Sequence, residues 1–323
     1  FEGSLSKFTE ALSMSTVMND KSSMAKTLNS MAILNYKTKE KDNALKNWLQ
    51  ALAIVEELGD KTKISKYLNN IGIWYKDDLD YSKSIEYYQK SLSIKEELGD
   101  VRNIGKTLNN MGNVYFLMGD YINSVEQYNK SLDIKEKLQD NKGLANTLNN
   151  LGETYFFLAE YDNAIENFRR SITLGKDKDK IFDNQRYLGM SHFYLSNYDS
   201  CSIYLKRSDE YFAASAQKRL SILPYLIFSY KKSGNDSRSE KLLEEFENIL
   251  VDHDPNPKDY ILTNWSSYET YKFLGKGSEA KEFLENAYFE LKSRSRNIKN
   301  KSDRNKYLDT ELHRKIVSSW SKN

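Results

Sequence analysis

Cysteine is almost missing from this chain. A single Cys201 among 323 residues rules out an intrachain disulfide framework and any zinc cluster built on cysteines. Three prolines (Pro224, Pro255, Pro257) and fourteen glycines are too few for a turn-dense β protein and suit long uninterrupted helices. No apolar run approaches the roughly 20 residues that cross a bilayer, and the opening FEGSLSKF lacks the charged start and apolar stretch of a signal peptide. No membrane insertion is therefore expected. A cytoplasmic location is the expectation, with tethering of a parent protein left to sequence upstream of Phe1. Histidine is scarce too: His192, His253 and His313 stand far apart and none begins an H-x-x-x-H or H-x-E pattern, so neither a metal nor a catalytic histidine is expected.

What is present is enough to fold. Hydrophobic residues make up 39% and aromatics 13%, and the class expected from this composition is all-α. Net charge is only +2 but uneven, because residues 292–323 hold ten Lys/Arg against three acids. That basic end is read either as a solvated terminal helix or as a contact for something acidic.

The chain repeats itself. The segment from Lys61 and the segment from Val101 share twenty identities in forty ungapped positions, and Gly72, Gly112 and Gly152 lie 40 apart. A period of that size signals stacked supersecondary units. Within each unit apolar residues recur every three or four positions in two blocks, for example Leu108, Met111, Val114, Tyr115 and then Tyr121, Val125, Tyr128, Leu132, which predicts a helical hairpin. The joint Gly119-Asp120-Tyr121 supplies the turn inside the unit and Leu98-Gly99-Asp100 closes it, glycine permitting reversal and aspartate capping the next helix. Small residues fall where helices approach closely: Gly72, Gly112, Gly152 and Gly189 on the first helix, and Ala44, Ser84, Ser124, Ala164 and Cys201 on the second.

Leu151, Gly152 and Tyr155, followed by Ala164, Phe168 and Ser171, resemble the tetratricopeptide pattern, in the longer-helix variant of kinesin light chains, LGN-type polarity adaptors and bacterial peptide-sensing regulators. The resemblance implies a right-handed superhelical solenoid of antiparallel helix pairs with a C-terminal capping helix. Its organisation would be a truncated repeat over 1–20 (Ser4, Phe8 and Ala11 matching a second helix only), four regular units over 21–177, three divergent hairpins over 178–293, and a basic cap over 294–323 with its helix at about 302–320. The start in mid-repeat leads us to expect upstream sequence. Residues 307–320, YLDTELHRKIVSSW, also resemble the closing segment of bacterial multidomain regulators in which such an array follows a kinase, cyclase or ATPase module.

Catalytic groupings are not visible. Cys201 occupies a small-residue packing position, Gly275 and Gly277 lack the strand and spacing of a phosphate loop, and the Glu/Lys runs IKEELGD and IKEKLQD follow the solenoid period as a solvated face does. Tyr75, Tyr115 and Tyr155 recur at core positions, which disfavours stacking on bases. No enzyme activity, cofactor, metal, small-molecule substrate or nucleic-acid partner is expected.

The feature that asks for a function is the asparagine series Asn69-Asn70, Asn109-Asn110, Asn149-Asn150, since asparagine is a mediocre helix former. A side-chain amide both donates and accepts, so a row of them suits the peptide groups of an extended guest. The resemblance places the first helices on the concave wall and gives that part to Asn70, Asn110 and Asn150, with Asn113 and Glu153 on the same wall. Two readings stay open, the other being that these amides tie neighbouring repeats together. Phe116 and Phe156, with Phe157, are likewise either an exposed anchor or buried packing. The function expected is a non-catalytic scaffold that binds a protein or peptide segment in its concave groove; the alternative is a ligand-sensing regulatory arm of a multidomain bacterial signalling protein.

Overall fold

The computed structural model describes residues 2–322, with side chains from Leu5 on, so the side chain of Ser4 lies outside the described residues. Among them 82% is helical and there is no strand. Helix α1 (Glu2–Val17) precedes the pairs α2 (Lys21–Lys37) and α3 (Lys41–Glu57), α4 (Lys61–Asp77) and α5 (Tyr81–Glu97), α6 (Val101–Leu117) and α7 (Tyr121–Lys137), and α8 (Asn141–Phe157) and α9 (Tyr161–Leu174). Then come α10 (Lys178–Tyr194) and α11 (Tyr198–Tyr211), the short α12 (Ala216–Leu220), α13 (Leu223–Lys232) and α14 (Asp236–Asp252), α15 (Tyr260–Phe273) and α16 (Gly277–Asn297), and finally α17 (Lys301–Leu308) and α18 (Glu311–Trp320). Consecutive helices pack as pairs, giving a solenoid of helical hairpins. The helix expected over about 302–320 is divided: Thr310 accepts the His313 N–H at 3.4 Å and so starts a new helix.

The chain forms two compact units, Phe1–Met118 with Ile298–Asp303, and Gly119–Asn297 with Arg304–Asn323. The same joint recurs in both. The middle residue of each three-residue connection takes a positive φ, at Lys39, Gly59, Leu79, Gly99, Gly119, Gln139 and Ala159, and the residue after it returns its N–H to the last turn, as Asp60 does to the Val55 carbonyl at 3.1 Å. That following residue is usually an aspartate whose carboxylate accepts the third amide of the next helix, as Asp60 does from Lys63 and Asp140 from Gly143, both at 3.0 Å. One tripeptide therefore ends one helix and starts the next.

Close pairing rests on a glycine of the first helix meeting a large side chain sixteen residues later. A Cβ on Gly72 would stand 2.9 Å from the Tyr88 ring, one on Gly152 2.7 Å from the Phe168 ring, and one on Gly189 2.5 Å from Leu205. Buried serines of the second helices add hydrogen bonds to first-helix carbonyls: Ser91 to Ser65, Ser171 to Ala145 and Ser208 to Phe182, at 2.6, 2.8 and 3.0 Å. Cys201 is buried beside Ser229, and burial pushes its thiol up to about 12. It is a packed group with little thiolate at neutral pH.

Gly152→Ala forces its methyl into Phe168 and should cost about 1–3 kcal/mol. Urea unfolding should show the loss, and Phe168→Leu in the same chain should recover part of it. An unchanged midpoint would mean that the close approach at Gly152 is not a constraint.

Candidate functional site

Of the predicted residues in the first unit, several are already engaged. Asn29 is buried and accepts from both Trp48 Nε1 and Asn70 Nδ2, each at 3.2 Å, so Asn70 ties one first helix to the preceding one. Thr107 donates its hydroxyl hydrogen to the Asn103 carbonyl at 2.9 Å and accepts from the ammonium of Lys95 at 2.7 Å, with the Asn69 amide oxygen 3.4 Å from the same hydroxyl. Lys95 is 5% exposed, and burial pulls it down to about 8. Asn109, Asn110, Asn113 and Phe116 are half-buried on α6. A hydrogen bond between neighbouring repeats is thus present at Asn29 and Asn70.

In the second unit Asn149 and Glu153 come together one turn apart on α8, Asn149 donating to Glu153 at 2.9 Å. Asn150 is half-buried beside them. Phe156 is placed differently from an exposed anchor: it is 4% exposed and surrounded edge-on by Phe157, Tyr161, Tyr187 and Tyr194, because at its position the helix faces inward. It is a core residue.

Asn149 and Glu153 line a trough of about 210 Å³ together with Lys180, Asp183 and Arg186 of α10, Lys218 of α12, and Asn256, Lys258 and Asp259 ahead of α15. Its floor is an ion pair. Arg186 and Asp259 are 2% and 6% exposed and approach to 3.2 Å, with Asp183 3.6 Å from Arg186 Nε. The guanidinium also lies over the Tyr187 ring, 4.6 Å from its centre. Asp259 stands at the N-cap of α15 but makes no capping bond there; its carboxylate turns to Arg186 instead. Around the rim Lys258 reaches Glu153 at 3.5 Å and Lys218 reaches Asp183 at 2.5 Å. A second, larger cavity adjoins it, and Asn149 and Lys180 line both.

Arg186, Asp259 and their neighbours were not singled out from sequence. A signal was there for Arg186: aligning Gly189 with Gly152 sets Arg186-Tyr187 where Asn149-Asn150 stands. Asp259 carried none, since its partner is remote in the chain.

One buried carboxyl stands apart from this trough. Glu269 of α15 sits among Tyr161, Tyr194, Tyr225 and Trp265 with Lys315 and Lys272 beyond, and burial pushes it up to about 7. The cavity nearby, walled by Phe156, Tyr194, Trp265 and Lys315, holds about 30 Å³, room for one water and no substrate. At the basic end, Lys299 pairs with Asp78 and Lys306 with Asp120, so these two cations answer acids of the same chain. Among the described residues no helix is long and apolar enough to cross a membrane.

A family model of the tetratricopeptide repeat matches residues 23–97 and 103–177. No curated protein matches the chain by sequence. Among solved structures, the apo form of RapI is similar with a TM-score of 0.69 at 15% identity, covering 84% of this chain and 99% of that one. A signal-transduction ATPase with a tetratricopeptide repeat sensor from Pyrococcus horikoshii gives 0.66 at 17% identity, covering 82% of this chain and 41% of that one. A Rap protein complexed with competence and sporulation factor gives 0.50 at 12% identity, covering 100% and 99%. At such identities the likeness is one of fold.

Two stability outcomes follow. Asp259→Ala leaves Arg186 buried without its main partner and should cost about 3–5 kcal/mol, with Arg186→Met in the same chain restoring much of it; equal stability of wild type and Asp259→Ala in urea would refute the pairing. For Glu269 the folded value of about 7 lies above the ordinary 4.5, so its contribution is complete below about 4.5 and is lost as pH rises through 7. The loss should reach about 3 kcal/mol. Glu269→Gln should flatten the fall in stability between pH 5 and 8 relative to wild type, a difference that cancels the opposite trend of His313, held down near 4. Parallel curves for the two proteins would show that Glu269 ionises freely.

Proposed function

We propose, for a chain whose residues 23–97 and 103–177 are tetratricopeptide repeats, that its task is to hold an extended segment of another protein against its first helices, with no catalysis of its own. The observation that carries this reading is the trough on α8 and α10, where Asn149 and Glu153 face Arg186, Lys180 and Lys258 over a floor fixed by a buried ion pair. Amides and charges of both signs, half-exposed on rigid helices, offer a passing peptide both acceptors and donors at set positions. Within the first unit the surface for this role consists of Asn69, Asn70, Asn109, Asn110, Asn113 and Phe116; within the second it is Asn149, Asn150 and Glu153. Asn69 and Asn70 would serve a guest with the hydrogen-bonding capacity their ties leave over. Phe156, being buried, has no part in it. A Rap protein of the same fold, complexed with competence and sporulation factor, supports the reading by analogy of architecture.

A regulatory arm in a larger cytoplasmic signalling protein is the second reading. The fold likeness to the sensor-bearing ATPase of Pyrococcus horikoshii favours it. In that setting the same surface would read a guest and pass its presence on.

Random peptides displayed on phage and selected against the immobilised chain should be enriched. Enrichment should drop at least about tenfold for Asn149→Ala combined with Glu153→Ala, and stay unchanged for Lys130→Ala, whose exposed pair with Glu126 lies on α7. Equal enrichment by the first variant, or none by wild type, would sink the proposal.

A further inference from the structure

The larger cavity beside the trough arises where the repeat shortens. In the regular units one slot lies between the end of a second helix and the following first helix, and residues 40 apart fill it. Val55 and Tyr67 belong to one buried cluster, Lys95 donates to Thr107 at 2.7 Å, and Lys135 donates to Thr147 at 2.5 Å. At the next turn of the period the slot falls to Gly175, because α9 stops at Leu174 after 14 residues where α7 runs for 17. No side chain reaches across from that position. The result is a cavity of about 570 Å³ whose inner wall includes Ala145, Leu174, Ile181, Ser171 and Asn184.

Asn184 occupies the place of Thr107 and Thr147, as aligning Gly189 with Gly152 shows. It is 2% exposed. Its Nδ2 donates to Ser171 Oγ at 2.9 Å, while the single hydroxyl hydrogen of Ser171 goes to the Ala145 carbonyl at 2.8 Å. Ser171 Oγ therefore accepts, which fixes the nitrogen of the amide toward it and the oxygen away from it. That oxygen is buried and has no donor among the described residues. A buried carbonyl-type acceptor without a partner costs free energy that a matching donor returns.

The chemistry of the missing donor can be read from the surroundings. The neighbouring slots are crossed by a long side chain with N–H at its tip, so the geometry suits a donor carried on a long stem or ring. Ala145, Leu174 and Ile181 offer apolar packing along the way. A cation is disfavoured, since Lys142, Lys176 and Lys180 stand at the mouth against the single acid Asp177. We propose that this cavity takes a tyrosine side chain of the guest, its ring against Leu174 and Ile181, its hydroxyl donating to Asn184 Oδ1, and an acidic guest residue beside it meeting the three lysines. This rests on the peptide-holding reading above and names the residue that the trough's neighbour selects.

The test uses the intact chain, labelled with nitrogen-15, and three capped single residues: N-acetyl-tyrosinamide, N-acetyl-phenylalaninamide and N-acetyl-lysinamide. The tyrosine probe should shift the Gly175 amide and the Asn184 side-chain amide, and bind about tenfold more tightly than the phenylalanine probe, the worth of one hydrogen bond to a buried acceptor. The lysine probe should bind most weakly. In Asn184→Val the tyrosine and phenylalanine probes should become equal, with the phenylalanine affinity kept; the wild-type comparison stands by itself if that variant fails to fold. Equal binding of the first two probes to wild type, tighter binding of lysine, or shifts elsewhere than Gly175 and Asn184 would overturn the assignment. Selected phage peptides that bind without tyrosine would overturn it while leaving the peptide-holding reading intact, whereas failure of the selection itself would remove both.

Discussion

A bare glycine backbone against an aromatic ring governs this molecule. In the pairs built on Gly72 and Gly152, the ring of Tyr88 or Phe168 lies where a methyl group of the facing helix would have to be. That contact fixes how near the two helices lie and at which height they meet. Once height is fixed, buried serines on the second helix find first-helix carbonyls at a constant offset, and the three-residue joints close without slack. A hairpin so defined still has an uncovered apolar face, and only the next hairpin covers it. Stacking is thus the consequence of pairing.

Because the units repeat, hollows open where the repetition fails. Shortening α9 by three residues removes the side chain that would cross to α10 and replaces threonine by Asn184 at the far side. One step along α10 the asparagine pair gives way to Arg186 and Tyr187, and a charge now lies buried where an amide stood. That charge requires Asp259, which the loop before α15 delivers at the expense of its own capping bond. The shorter α9 thus opens one hollow, and the Arg186–Asp259 pair floors the other beside it.

The period made much of this legible. The spacing of Gly72, Gly112 and Gly152 identifies the hairpins, and the Leu-Gly-Asp joints announce both a helix end and a helix start. What the period leaves out is direction. Whether Asn70 points at a guest or at Asn29 depends on the height of the neighbouring helix, a tertiary fact. Phe156 and Phe157 are adjacent near a helix end, and only packing decides that the first is the one sealed. Arg186 and Asp259 meet through a fold-back that no repeat encodes. The single helix expected near 302–320 failed for a local reason, since Thr310 offers a cap that competes with continuation.

The slot between repeats is filled in more than one way. Val55 and Tyr67 show that an apolar filling is available to this fold at that position. Lys95 and Lys135 fill it with buried ammonium groups, which gain less than apolar residues of similar size because desolvation offsets most of their hydrogen bonding. A filling chosen for packing alone would repeat the valine. The lysines instead bring a donor to Thr107 and Thr147, whose hydroxyls in turn donate to the carbonyls of Asn103 and Gly143 one turn back. In the last slot the acceptor remains and the lysine does not. From one repeat to the next the same position thus passes from apolar packing, through a donor supplied by the chain, to a buried acceptor with no donor among the described residues.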